Sequence, residues 1–240
     1  MVNYVLFDTK TAKNMRYLRW FMAFLIIPAA AALSIGLFEV ILNLGQNISQ
    51  KAVPFWIGAV AYFLFQVMFE RPVRTYIFGH ELTHAIAGIF SGARLKKFKV
   101  SATGGSVVLT KSNIFITLAP YFIPIYTVLL ALVYWACGMF WPVERYHSVF
   151  LFLAGFTLAF HFGLTHFALV QGQSDLKQFG VFFSGVFILV VNCLVMIMLL
   201  KFLFPQEVDL KNYFYGGWQR TVTIVDYTVK AGKKIWSYSR

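Results

Sequence analysis

Stretches almost without charge alternate with short polar breaks along this chain. Apolar runs cover residues 20–43, 53–69, 113–140, 146–170 and 179–204, each long enough to span a hydrocarbon core as a helix. A further run, 73–91, is interrupted by polar residues at helical spacing. The breaks are Gln46 to Lys51, Glu70 to Arg74, Glu144-Arg145 and Gln171 to Lys177. Between 96 and 111 the period drops to two. Phe98, Val100 and Ala102 alternate with Lys97, Lys99, Ser101 and Thr103, and Ser106 to Thr110 returns after Gly104-Gly105, a pair suited to a two-residue turn with positive φ. The pattern predicts an all-α polytopic membrane protein of about six transmembrane helices, with a β-hairpin over 96–111 after the third. Residues 205–240 are predicted to form a basic tail on the membrane surface, with Lys230, Lys233, Lys234 and Arg240 beside Trp236 and Tyr238.

Composition supports lipid as the main solvent. Hydrophobic residues make up 59% of the 240 and charged ones only 12%, more apolar surface than a soluble domain of this size buries. The net charge of +12 does not point to nucleic acid, because the basic residues cluster beside the apolar runs and at the termini, where anionic headgroups lie. Lys10, Lys13, Arg16 and Arg19 precede the first run and, with the tail, suggest that both termini are cytoplasmic. Cys137 and Cys193 sit inside apolar runs and offer no disulfide framework. The expected location is the cell membrane, as a multi-pass protein.

The chemistry concentrates in Gly79-His80-Glu81-Leu82-Thr83-His84-Ala85. On a helix, His84 lies about 40° from His80 and Glu81 about 60° from His84, so all three side chains project from one side. Two imidazoles so placed can hold Zn²⁺, and the carboxylate can take a proton from a water. Ala87, Gly88 and Ser91 keep that side of the helix small. Such polar residues in an apolar helix are expected to face a hydrated pocket.

A zinc site of this kind needs a third protein ligand. Asp8, Glu39, Glu70, Glu144, Glu207, Asp209 and Asp226 sit at run ends or in the tails, whereas Asp175 lies in a polar loop between Gln173 and a helix start. It reads as the third ligand, or as the N-cap of the next helix. His161 and His166 compete; five residues apart, they diverge by about 140°, so only one is expected to face the pocket. His161, His166 and Gln173 are the candidates for contacts to substrate or oxyanion. In the hairpin, Val100, Gly104, Gly105 and Val107 offer an edge to which an extended substrate strand can add.

The helix with His-Glu-Leu-Thr-His-Ala, followed by Gly-Ala-Arg, a Gly-Gly hairpin and a proline-containing span, resembles the site-2 protease family of intramembrane zinc metalloproteases. The resemblance covers roughly residues 54–200 and is to a divergent, compact member. It implies that the hairpin is re-entrant and that His80, His84 and Asp175 are ligands, with Glu81 the base. The substrates would be membrane proteins or peptides. Two other readings stand beside it: a membrane zinc protease of the prenyl-protein type, whose third ligand is a glutamate and for which only Glu144 or Glu207 is available, and a non-catalytic metal-binding membrane protein.

Overall fold

The computed structural model describes residues 9–46, 52–69, 71–101 and 104–238, with side chains from residue 15 onward. The basic pair Lys10 and Lys13, the loop at 47–51, Glu70, the hairpin tip at Ala102-Thr103 and Arg240 therefore contribute nothing to the side-chain description. The chain divides into two compact units, one of residues 48–179 and one of residues 9–47 with 180–240.

In the first unit, α2 (Val53–Met68) begins with Pro54 in its first turn and gives way at Phe69 to extended backbone. After Pro72, α3 (Val73–Phe90) carries the histidines and stops at Gly92, whose φ of 73° suits glycine. There Ala93 N–H donates to Gly88 O and Gly92 N–H to Ile89 O, the paired bonds of a Schellman end. The strands β1 (Leu95–Val100) and β2 (Gly105–Leu109) pair antiparallel, with Phe98 opposite Val107 and Val100 opposite Gly105. The turn is thus shifted off the expected Gly104-Gly105 pair, since Ser101 N–H donates to Gly104 O at 2.8 Å and carries the pairing one step beyond Val100 and Gly105. Gly105 belongs to β2, and neither Gly104 nor Gly105 has positive φ. The hairpin lies on α3: the rings of Phe78 and Phe98 meet edge-on at 6.1 Å, and a Cβ at Gly88 would stand 2.6 Å from Leu109.

The span expected at 113–140 is broken. The five-residue α4 (Ile114–Leu118), capped by Asn113, runs into a 3₁₀ turn at Ala119–Tyr121, and α5 (Ile125–Gly138) departs at 84°. Pro120 and Pro124 explain the break, since neither supplies the N–H that would carry a helix through it. The longest helix of this unit, α6 (His147–Val170), packs against α2 at Gly58 and Gly155. Each glycine faces a backbone carbonyl of the other helix, so any Cβ would collide, and the two axes approach as small residues permit between membrane helices. The short α7 (Ser174–Phe179) closes the unit. It is separate from the span expected to begin at 179, because Gly180, at φ 92°, interrupts the helix.

The second unit joins α1 (Thr9–Gln46), α8 (Val181–Leu203) and α9 (Leu210–Tyr238). Trp20 and Phe24 pack their rings, tilted, against Phe182, and Ser34 Oγ meets Cys193 Sγ at 3.5 Å, so α1 and α8 run parallel. Six alternating spans would make them antiparallel. The stretch expected as a tail includes a 29-residue helix, tied to α1 by Tyr213 O–H donating to Leu33 O and by an Arg220–Glu39 ion pair. Among the described residues, three helices are long and apolar enough to cross a bilayer, Met15–Gln46, Val143–Val170 and Val181–Leu203, and the bent pair α4–α5 makes a fourth if counted as one span. These helices support a membrane protein.

Candidate metal centre

His80 and His84 lie one turn apart on α3, and α7 brings Asp175 across to them. The two Nε2 atoms are 3.2 Å apart, His80 Nε2 lies 3.3 Å from Asp175 Oδ2, and His84 Nε2 lies 3.5 Å from the same oxygen. The three donor atoms form a nearly equilateral triangle. Tetrahedral zinc with bonds of about 2.0–2.1 Å has ligand-to-ligand edges of about 3.3–3.4 Å, so this triangle has the size of one tetrahedral face.

The surrounding bonds orient the donors. His84 Nδ1 lies 2.8 Å from Ile116 O, and a carbonyl only accepts, so Nδ1 carries the proton and Nε2 keeps its lone pair for a ligand. That carbonyl is free for a sequence reason. Its helical partner would be the N–H of residue 120, and residue 120 is proline. His80 Nδ1 meets Tyr76 Oη at 3.3 Å, and Tyr121 O–H donates to Asp175 Oδ2 at 3.1 Å. Burial alone would raise the Asp175 carboxyl, but the imidazoles of His80 and His84 beside it hold it well below the usual carboxylate range. It is therefore a carboxylate, the form that binds metal. His80, His84 and Asp175 are the one such group among the described residues, and by donor type, spacing and orientation they fit zinc.

The triangle opens into a cavity of about 400 Å³. Glu81 lines it beside the histidines, as do Gln173 and the β2 residues Gly105, Ser106 and Val107. Gly104 reaches it too, but Val100, on β1, does not. The strand facing the cavity is β2, and among the described residues no strand pairs with its second edge. Gly105 presses on Glu81, since a Cβ there would sit 2.7 Å from Oε1 and 2.9 Å from Cδ.

Neither His161 nor His166 lines this cavity. The residues of α6 that do are Leu164, Phe167 and Ala168, spaced as one helix face, and its C-capping Gln171 follows them. His166 is about 200° from Leu164 and exposed, whereas His161 is buried one turn earlier against a separate small cavity. Glu144 and Glu207 are exposed and do not belong to the ligand group. Tyr76 and Tyr121 were not anticipated. Tyr76 is readable as the residue one turn before His80, but Tyr121 needs the bend at 119–124 to reach Asp175.

Comparison with protein families, curated proteins and solved structures finds no match to the chain.

Proposed function

We propose that this protein is an intramembrane zinc metalloprotease that hydrolyses peptide bonds of membrane-associated substrates. The carrying observation is the triangle of His80 Nε2, His84 Nε2 and Asp175 Oδ2, open to a cavity that Glu81 also lines. Zinc bound there would supply a Lewis acid and a water of lowered pKa. Glu81 takes the proton of the attacking water and returns it to the leaving amine. A metal-binding protein without hydrolysis needs no base at this position.

The unpaired edge of β2 gives the substrate a place to lie extended, with main-chain hydrogen bonds at Gly105 to Val107 holding the scissile segment near Glu81. A helical substrate must unwind to be cut, because its own backbone bonds occupy the carbonyls. Gln173, in the cavity wall near Asp175, is one of the side-chain amides that could meet the substrate carbonyl. The resemblance of the His-Glu-Leu-Thr-His helix and the hairpin after it to the site-2 protease family supports this reading, as does the apolar character of the long helices. The prenyl-protein type is disfavoured because its third ligand is a glutamate. On this proposal the protein is a multi-pass protein of the cell membrane, with an odd number of crossings between the parallel α1 and α8.

The test is cleavage of a purified single-span substrate in detergent. Wild-type protein is expected to cut it, a zinc chelator to stop the cutting, and Glu81→Gln to lower the rate by about 10²–10⁴-fold while zinc stays bound. Full activity of Glu81→Gln with zinc in place would refute the assignment of the base.

A further inference from the structure

Behind the metal site lies a second, smaller cavity of about 20 Å³, on the side of α3 turned toward α6. Its polar wall residues are His161, Tyr76, His80, Thr83 and Tyr126. His161 is 8% exposed, and its Nε2 is buried with no hydrogen-bond partner. Native proteins seldom leave such a group unsatisfied, and an orphaned polar atom beside a void usually marks an ordered water. The void is large enough, since one water needs about 10–15 Å³ of this kind of space.

Two of the wall residues belong to the metal site. Tyr76 Oη is 3.3 Å from His80 Nδ1, so the residue that steadies the first histidine also borders the cavity. Thr83 donates its hydroxyl proton to Gly79 O at 2.7 Å and keeps lone pairs for an incoming donor. Tyr126 is committed elsewhere, donating to Thr75 O at 2.6 Å. A water here can therefore bond to His161 Nε2, to the Tyr76 hydroxyl and to the Thr83 hydroxyl, within the two to four partners that buried waters make.

We infer that His161 is a positioning residue. It holds one buried water against Tyr76, and through that water and the Tyr76 hydroxyl it fixes the ring of His80 from behind. The histidine that seemed a candidate for substrate contact thus serves the metal from the opposite side of α3. Outer partners of this kind tune affinity, because a ligand ring free to rotate must be ordered each time metal binds.

This inference rests on the metal reading of the site, and zinc affinity measured by competition with a chromogenic chelator separates the two. His161→Phe, which fills the cavity and expels the water, is expected to weaken zinc binding about tenfold, whereas His161→Gln, which keeps a polar tip, holds affinity within about threefold. Tyr76→Phe is expected to weaken binding to a similar degree, and the double variant Tyr76→Phe/His161→Phe no more than either alone, because both break one chain. Wild-type affinity in His161→Phe would overturn the inference, as would additive losses in the double variant. Equal losses in both His161 variants, in step with falling thermal stability, would mark a merely structural residue and overturn it as well. If the wild-type protein binds no zinc, the metal reading itself fails.

Discussion

The contact between Gly105 and Glu81 allows the base to be displaced without touching a ligand. Gly105→Ala adds one methyl group, 2.7 Å from Glu81 Oε1 and 2.9 Å from Cδ if nothing moves. Ordinary contact begins near ~3.4 Å, so carboxylate and strand must separate by about 0.7 Å or more. Gly105 is held by its pairing to Val100, whereas the Glu81 side chain turns on single bonds, so the carboxylate does most of the moving. A misplacement of about 1 Å in a reacting group costs about 10²-fold in rate. The expected result for Gly105→Ala is therefore a kcat about 100-fold lower with zinc affinity unchanged, since the three atoms nearest this Cβ all belong to Glu81. Gly104→Ala is the matched control: a Cβ there meets nothing within 4 Å. Single-turnover cleavage of a single-span substrate, with metal content measured on the same preparations, gives both numbers. If Gly105→Ala cleaves at the wild-type rate, Glu81 is not the base in the position described. If it loses zinc, the hairpin supports the metal site and not the base.

Two further expectations concern the third ligand and the membrane. Asp175→Ala is expected to lose stoichiometric zinc, whereas Glu144→Ala and Glu207→Ala retain it; zinc retained by Asp175→Ala but lost from either glutamate variant would return the site to the prenyl-protein type. The parallel run of α1 and α8 predicts that an N-terminal tag and a label at Gln206, in the turn after α8, fall on opposite sides of the membrane. Protection of both from the same side would contradict that direction.

The helical spacing of His80, Glu81 and His84 was legible because three positions of one motif depend only on the 3.6-residue turn. Asp175 was legible for a different reason: in so apolar a chain, few carboxylates sit anywhere but at a run's end. What escaped depended on three-dimensional direction. Hydropathy is continuous from Ser112 to Val143, so a single span was expected, and the prolines within it announced a deformation without its 84° size. The two-residue turn was drawn from Gly104-Gly105 as a pair, whereas Gly105 serves in the sheet as a close-approach residue. In the last stretch, Phe214, Trp218, Val222, Val225 and Val229 recur at i, i+4, i+8, i+11 and i+15. That helical stripe was obscured by the basic residues among them.

The broken α4–α5 segment shows how an apparent defect in a span can serve chemistry. Helical carbonyls in lipid are ordinarily closed by the N–H four residues on, and an open one is costly. Pro120 removes that partner from Ile116, and the open carbonyl meets His84 Nδ1 at 2.8 Å. One proline thus accounts for the open carbonyl and for the tautomer of a candidate metal-binding histidine. The same bend carries Tyr121 to Asp175, so a second ligand is steadied from the turn that the proline helps to make. A continuous helix through 113–140 would satisfy its own backbone and leave His84 free to carry its proton on either nitrogen. The polar requirements of the candidate site and the interrupted backbone of α4–α5 therefore satisfy one another.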